Sequence, residues 1–219
     1  MSDGVRLNKR VAEDVPCSRS EAEAYILGGW VSVDGVVVEE PGARVGHDRR
    51  IALLPGATAM PIAPVTIVVH KPAGVEVSAA LIDPAQQEGK QRFLKHHLHK
   101  LELVAPLEKS ASGLVVFTQD YRVLRKFRED APEQEIIVEV AGTISEGGLQ
   151  QLNQGMKVSW QNETRLRFAT KIATPGLIDR LCRDVGLRVL AQKRIRIGRL
   201  PMSSLPPARW RYLTPVERF

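Results

Sequence analysis

Only two cysteines occur in 219 residues, Cys17 and Cys182, far apart and with no Cys or His at metal-ligand spacing. That argues against a disulfide framework and a zinc cluster, and both thiols are expected to be reduced and buried. No apolar run approaches the length needed to span a bilayer, and the N-terminus lacks the apolar core of a secretory signal. A cytoplasmic protein is the expectation. Acidic residues are scarce at the far end: positions 180–219 hold 10 Lys and Arg against 2 Asp and Glu. Residues 1–62 hold 7 against 9, and residues 63–179 hold 14 against 14, so the whole net charge of +6 sits in the last forty residues. Such a concentration suggests a polyanionic partner, RNA or DNA first, and the segment has no helical apolar face that would suit a membrane surface. What is present is ordinary for a soluble globular protein, 43% apolar and 26% charged, in a length that suits one large domain or a small one plus a medium one.

From the start of the chain, Val5 to Glu13 reads as a short helix with Leu7 and Val11 inward and Arg6, Lys9 and Arg10 on one basic face. Ser18-Arg19-Ser20-Glu21 is a capping box for a second helix, with Tyr25 and Ile26 toward the core and Gly28-Gly29 as its stop. Asp34-Gly35 between two valine-rich runs marks a type I′ hairpin. The three prolines of Pro55 to Pro64 read as a linker. Residues 65–70 make a buried strand stopped by Lys71-Pro72, since proline cannot continue a ladder. His96, His97 and His99 lack an acidic or Cys partner at metal-ligand spacing, so no metal is assigned and a solvated or RNA-facing cluster is expected.

The most informative stretch is residues 105–118, a turn carrying Glu108 followed by Gly113 and the apolar run Leu114 to Phe117. A carboxylate at the entry to a buried strand has rigid support and can be partly desolvated, as an acid or base catalyst needs. On these residues alone, an ordinary loop glutamate before a core strand is the simpler reading. Beyond it, a helix is expected over Tyr121 to Glu129 and a strand over residues 135–140. Thr164 to Ile172 alternates as a half-buried strand, and Ile178 to Val185 reads as a helix stopped by Gly186.

Residues 105–118 resemble the signature of RNA pseudouridine synthases of the RsuA/RluB/RluF-like type, Gly-Arg-Leu-Asp-x-x-(Thr/Ser)-x-Gly-Leu-Leu. Leu107, Ser112, Gly113 and Leu114 keep it, while Ala105, Pro106, Glu108 and Ala111 replace the Gly, Arg, Asp and Thr/Ser. Lys71-Pro72-Ala73-Gly74 resembles the motif that opens the synthase domain, and Gly186 to Glu217 resembles the closing strands. Residues 5–54 resemble the S-four RNA-binding domain. The likeness spans nearly the whole chain, about residues 5–217.

That resemblance implies an α+β fold. A small two-helix-plus-hairpin domain (1–58) and a linker (59–64) precede a pseudouridine-synthase-like domain (65–219) with a mixed, mostly antiparallel sheet. Strands 65–70, 113–118 and 135–140 are expected as neighbours. It also implies chemistry without metal or cofactor, on a uridine flipped from its stack, carried by the Asp, Arg and a Tyr. Here those positions are Glu108, Pro106 and Ile136; Ile136 could pack on a base but cannot move a proton. Where the family has Gln-Ile-Arg-Arg-Met, this chain has Leu177-Ile178-Asp179-Arg180-Leu181, and the usual Glu-Gly pair is missing between Ile172 and Ile178. Two functions follow: an RNA-binding protein with lost or residual catalysis, or an active synthase using Glu108. The partner expected is structured RNA, ribosomal RNA first, bound by a monomer through Arg6, Lys9, Arg10, Arg19, Lys71, Lys109, Arg180, Arg194 and Arg196.

Overall fold

The computed structural model describes residues 4–171 and 174–219. The chain divides into two compact units, one of residues through Pro64 with Arg92–Lys100, the other of Val65–Gln91 with Leu101–Phe219.

The first unit contains β1 (Val5–Arg6), α1 (Leu7–Asp14), α2 (Arg19–Leu27), β2 (Val31–Val33), β3 (Val36–Val37), β4 (Arg44–Val45) and β5 (Ile51–Leu53). α1 starts two residues later than the sequence suggests, because Val5 and Arg6 pair with Val45 and Arg44 instead. The capping box forms as expected: the Glu21 N–H donates to Ser18 Oγ at 3.2 Å and the Ser18 N–H to Glu21 Oε2 at 2.7 Å. Asp34 and Gly35 both take positive φ, 50° and 83°, which a type I′ turn requires. Leu7, Val11, Ala22, Ile26, Val31 and Val45 make the core, with Tyr25 half-buried against it.

Arg92–Lys100, expected in the larger domain, packs within this first unit. The Arg92 guanidinium lies 4.9 Å from the Trp30 ring and donates to Gly29 O at 2.5 Å. The Lys95 N–H donates to Glu39 Oε2 at 2.6 Å. His97 is buried here, and burial first, the neighbouring His96 second, pulls its pKa down to about 4. The expectation of a solvated or RNA-facing histidine cluster fails at this residue, because its ring is buried and its Nδ1 accepts the Leu94 N–H.

The second unit contains β6 (Thr66–Lys71), β7 (Glu102–Ala105), β8 (Ser112–Thr118), α3 (Tyr121–Asp130), β9 (Gln134–Gly142), α4 (Gly148–Leu152), β10 (Lys157–Asn162), β11 (Arg165–Thr170), α5 (Leu177–Asp184), β12 (Leu187–Ile197), β13 (Leu200–Pro201) and β14 (Trp210–Tyr212). The sheet runs β10-β11-β9-β12-β8-β6-β14, with β13 on β12 and β7 on β8. It is mixed and mostly antiparallel, as expected; among the described strands β12 and β8 pair in parallel.

One neighbour relation differs from expectation: β12 separates β8 from β9. β12 pairs with β9 along most of its length, and Gly113 lets β8 press onto β12 from the other side. A Cβ at Gly113, whose φ is +112°, would stand 2.2 Å from the Arg194 carbonyl oxygen. Ile136, Val138, Leu166 and Phe168 pack against Ile178 and Cys182 of α5, which fixes that helix on one face of the sheet. Leu166, Phe168 and Thr170 turn inward as their alternation suggests, and Ile172 lies outside the described residues. Among the described residues no helix is long and apolar enough to cross a membrane.

Candidate active site and nucleic-acid interface

β7 ends at Ala105, where Pro106 offers no N–H to extend the ladder, and the chain turns through Glu108 before β8 begins. The Glu108 side chain is half-buried, and its Oε1 accepts the Gly176 N–H at 2.8 Å. Gly176, at φ +70°, is the N-cap of α5, so the carboxylate lies at the positive end of that helix. Asp179 occupies the first turn of the same helix and accepts from Gln192 Nε2 at 2.6 Å. Among the described residues no Lys, Arg or His nitrogen comes within 4 Å of the Glu108 carboxylate. The segment expected to lack the Glu-Gly pair includes residues 172 and 173, which lie outside the described residues.

Two buried cations brace the loop from either side. Arg194 donates to the carbonyls of Ala105 (2.7 Å), Pro106 (2.9 Å) and Leu114 (2.7 Å from Nε), and to Gln134 Oε1 at 2.8 Å. Lys71 Nζ donates to the carbonyls of Pro72 (2.8 Å), Val75 (2.8 Å) and Lys109 (3.0 Å). Both were expected on the RNA-facing surface; both are instead buried, Lys71 at 0% and Arg194 at 1% exposure, with their protons committed to backbone carbonyls and, for Arg194, to the Gln134 side chain. Burial lowers the pKa of each, that of Arg194 to about 9, which leaves its guanidinium charged at neutral pH. Arg196 also departs from expectation, because its guanidinium is held by Glu133 at 3.2 Å and by Glu135.

Ile136 is 8% exposed and packed with Val138, Phe168 and Ile178, so it belongs to the core and presents no platform to a base. Lys109 is exposed and meets exposed Glu76 at 3.6 Å, and Arg180 is exposed on α5. Lys71, Lys109 and Arg180 all stay more than 4 Å from the Glu108 carboxylate.

In the first unit Arg6, Lys9 and Arg19 are exposed. Arg10 is not: it is held by Asp14 Oδ2 at 3.0 Å and the His47 carbonyl at 3.3 Å, with its side chain 13% exposed. Arg44 and His47 join Arg6, Asn8, Lys9 and Arg19 around an open concavity of about 470 Å3. Sequence reasoning missed both, because the two-residue pairing of β1 with β4 that brings them there leaves no periodicity to read.

Residues 65–140 match the model of the RNA pseudouridylate synthase family, and residues 5–51 match that of the S4 domain. In both regions the chain is similar to RNA pseudouridine synthases. It is 25% identical over 230 residues to an uncharacterized RNA pseudouridine synthase of Aquifex aeolicus, covering 97% of this chain and 92% of that one. It is 26% identical over 232 residues to the dual-specificity RNA pseudouridine synthase RluF of Escherichia coli, covering 97% and 77%. A crystal structure of a pseudouridylate synthase superposes with a TM-score of 0.59 at 19% identity over 96% of each chain, a likeness of fold. The small unit thus resembles an S4 domain, and the larger resembles a pseudouridine synthase domain.

Proposed function

We propose that this chain binds structured RNA, with the S4 domain as its main contact, and that uridine isomerisation by its synthase domain is lost or residual. The observation that carries the reading is the engagement of Glu108: its carboxylate caps α5 through Gly176 and has no cation within 4 Å among the described residues. A catalytic carboxylate in this family works with a guanidinium and a phenol. Here Pro106 supplies neither group, Arg194 spends its donors on carbonyls, and Ile136 is an aliphatic core residue. The first turn of α5 also carries Asp179, so an RNA phosphate approaching that helix end would meet two carboxylates.

Ribosomal RNA is the partner this reading favours, since one relative is named a putative ribosomal large subunit pseudouridine synthase. The competing reading, an active synthase using Glu108, draws on the half-exposed carboxylate standing in the aspartate position of the motif. Tritium release from RNA labelled at carbon 5 of uridine separates the two. The proposed reading expects little or none; robust release, abolished by Glu108→Gln, would overturn it and make Glu108 the catalytic carboxylate.

A further inference from the structure

Cations of the S4 domain gather where, among the described residues, no acid lines the wall they share. Arg6, Arg19 and Arg44 form no ion pair among the described residues. Lys9 has only a loose, exposed contact of 3.8 Å with Glu13. All four line the 470 Å3 concavity, and among the described residues no Asp or Glu contributes to its wall. Arg10, one residue beyond Lys9, shows the contrast: its guanidinium is bound to Asp14. Like charges held in one concavity repel, and an anion seated among them removes that cost.

The character of the wall narrows the anion. A nucleobase needs a flat ring or apolar surface to stack on. Among the described residues the one ring at this wall is His47, whose Nδ1 already accepts from Arg10 at 3.3 Å. The rest is charged or amide-bearing apart from Gly4 and Val5. Arg44 is steadied from behind, its Nη1 donating to Gly4 O at 2.8 Å. Four cations beside a single, already engaged ring suit two negative charges close together better than one phosphate or a base.

We propose that this pocket is a clamp for a pair of adjacent phosphates, as RNA presents where its backbone folds back on itself. The inference rests on the reading that the chain binds RNA and deepens it: the preferred ligand is a sharp backbone turn, not the even phosphate spacing of a duplex. Inorganic pyrophosphate offers the same chemistry without RNA and serves as the probe.

The experiment titrates the full chain with inorganic pyrophosphate by calorimetry. It then lets pyrophosphate compete, at fixed salt, with a labelled RNA containing a sharp internal turn and with an uninterrupted duplex of equal length. The expected result is saturable pyrophosphate binding, displacement of the turned RNA, and at least tenfold tighter binding of the turned RNA than of the duplex. Arg19→Ala should weaken pyrophosphate and turned RNA each about tenfold. Arg19 is the exposed first residue of α2, so the variant should unfold at the same denaturant concentration as the parent. Equal affinity for both RNAs without competition overturns the clamp and leaves RNA binding standing. Pyrophosphate binding indifferent to Arg19→Ala overturns it as well. Pyrophosphate binding that needs Arg19, with no affinity for either RNA, upholds the clamp and removes RNA as its ligand.

Discussion

Arg194 donates to the carbonyl of Pro106 at 2.9 Å, so a guanidinium does reach the position where the family motif has its arginine, but from another strand and onto backbone. It also holds Ala105, Leu114 and Gln134, tying β7, β8 and β9 together beneath the Glu108 turn. Removing it would leave several buried acceptors unpaired. Arg194→Ala is therefore expected to cost about 3–5 kcal/mol of stability, read by urea unfolding. Arg194→Lys should recover less than half, since one ammonium cannot span the same four acceptors. A loss under about 1 kcal/mol for the alanine variant would show that water replaces the guanidinium without penalty.

The Glu108 contact makes a separable prediction. If its carboxylate mainly caps α5, Glu108→Gln should lower stability by about 0.5–1 kcal/mol, as loss of a charged cap does. Glu108→Asp, one methylene shorter, should fare no better and should not raise tritium release. Adding Pro106→Arg and Ile136→Tyr is no simple repair, because position 136 lies in the core. A tyrosine there is expected to cost about 1–3 kcal/mol by overpacking. A triple variant that folds as stably as the parent and releases tritium would refute this account.

Motifs that rest on local backbone chemistry were legible in the sequence. The Ser18–Glu21 capping box and the Asp34-Gly35 turn each need only a few neighbouring residues, and both formed as read. The alternation of Leu166, Phe168 and Thr170 likewise carried its own evidence of one-sided burial. Long-range relations were not legible. Nothing local tells Lys71 or Arg194 from a solvated cation, because their acceptors lie on other segments, up to 89 residues away in sequence. The same holds for β12 between β8 and β9, and for Arg92 reaching Trp30. At the candidate site, sequence located the Glu108 turn but not its partner Gly176, since the contact joins a loop to a helix cap 68 residues on.

His97 should make the first unit acid-sensitive. Its ring lies edge-on to Phe93 with centroids 6.5 Å apart, and its Nδ1 accepts the Leu94 N–H at 3.4 Å, a role protonation would abolish. The folded pKa of about 4 lies below the unfolded value of 6.5, so between these limits the unfolded chain binds the extra proton. The resulting stability is present above about pH 6.5 and is lost as pH falls toward 4, on the order of 2–3 kcal/mol in all. Urea midpoints at pH 7.5 and 4.5 should diverge in the parent and converge in His97→Gln. Equal pH dependence in both would place the acid sensitivity elsewhere.

The basic residues at and just before the start of α1 should divide into ones that bind and one that holds the fold. Arg6 and Lys9 are exposed, and neither is firmly committed to an acid. Each that touches a phosphate displaces about one counterion, so Arg6→Ala and Lys9→Ala should each lower the slope of log affinity against log salt by about 1. Together they should weaken structured-RNA binding by more than tenfold at moderate salt. Arg10 differs, because Asp14 and the His47 carbonyl occupy its guanidinium and the side chain is largely buried. Arg10→Ala should therefore leave the salt slope unchanged while lowering stability, since the His47 turn loses its anchor. Filter binding across a salt series, with thermal unfolding of each variant, reads both effects. If Arg10→Ala flattened the slope as much as Arg6→Ala did, the Asp14 contact would be one that RNA displaces, and Arg10 would return to the binding surface.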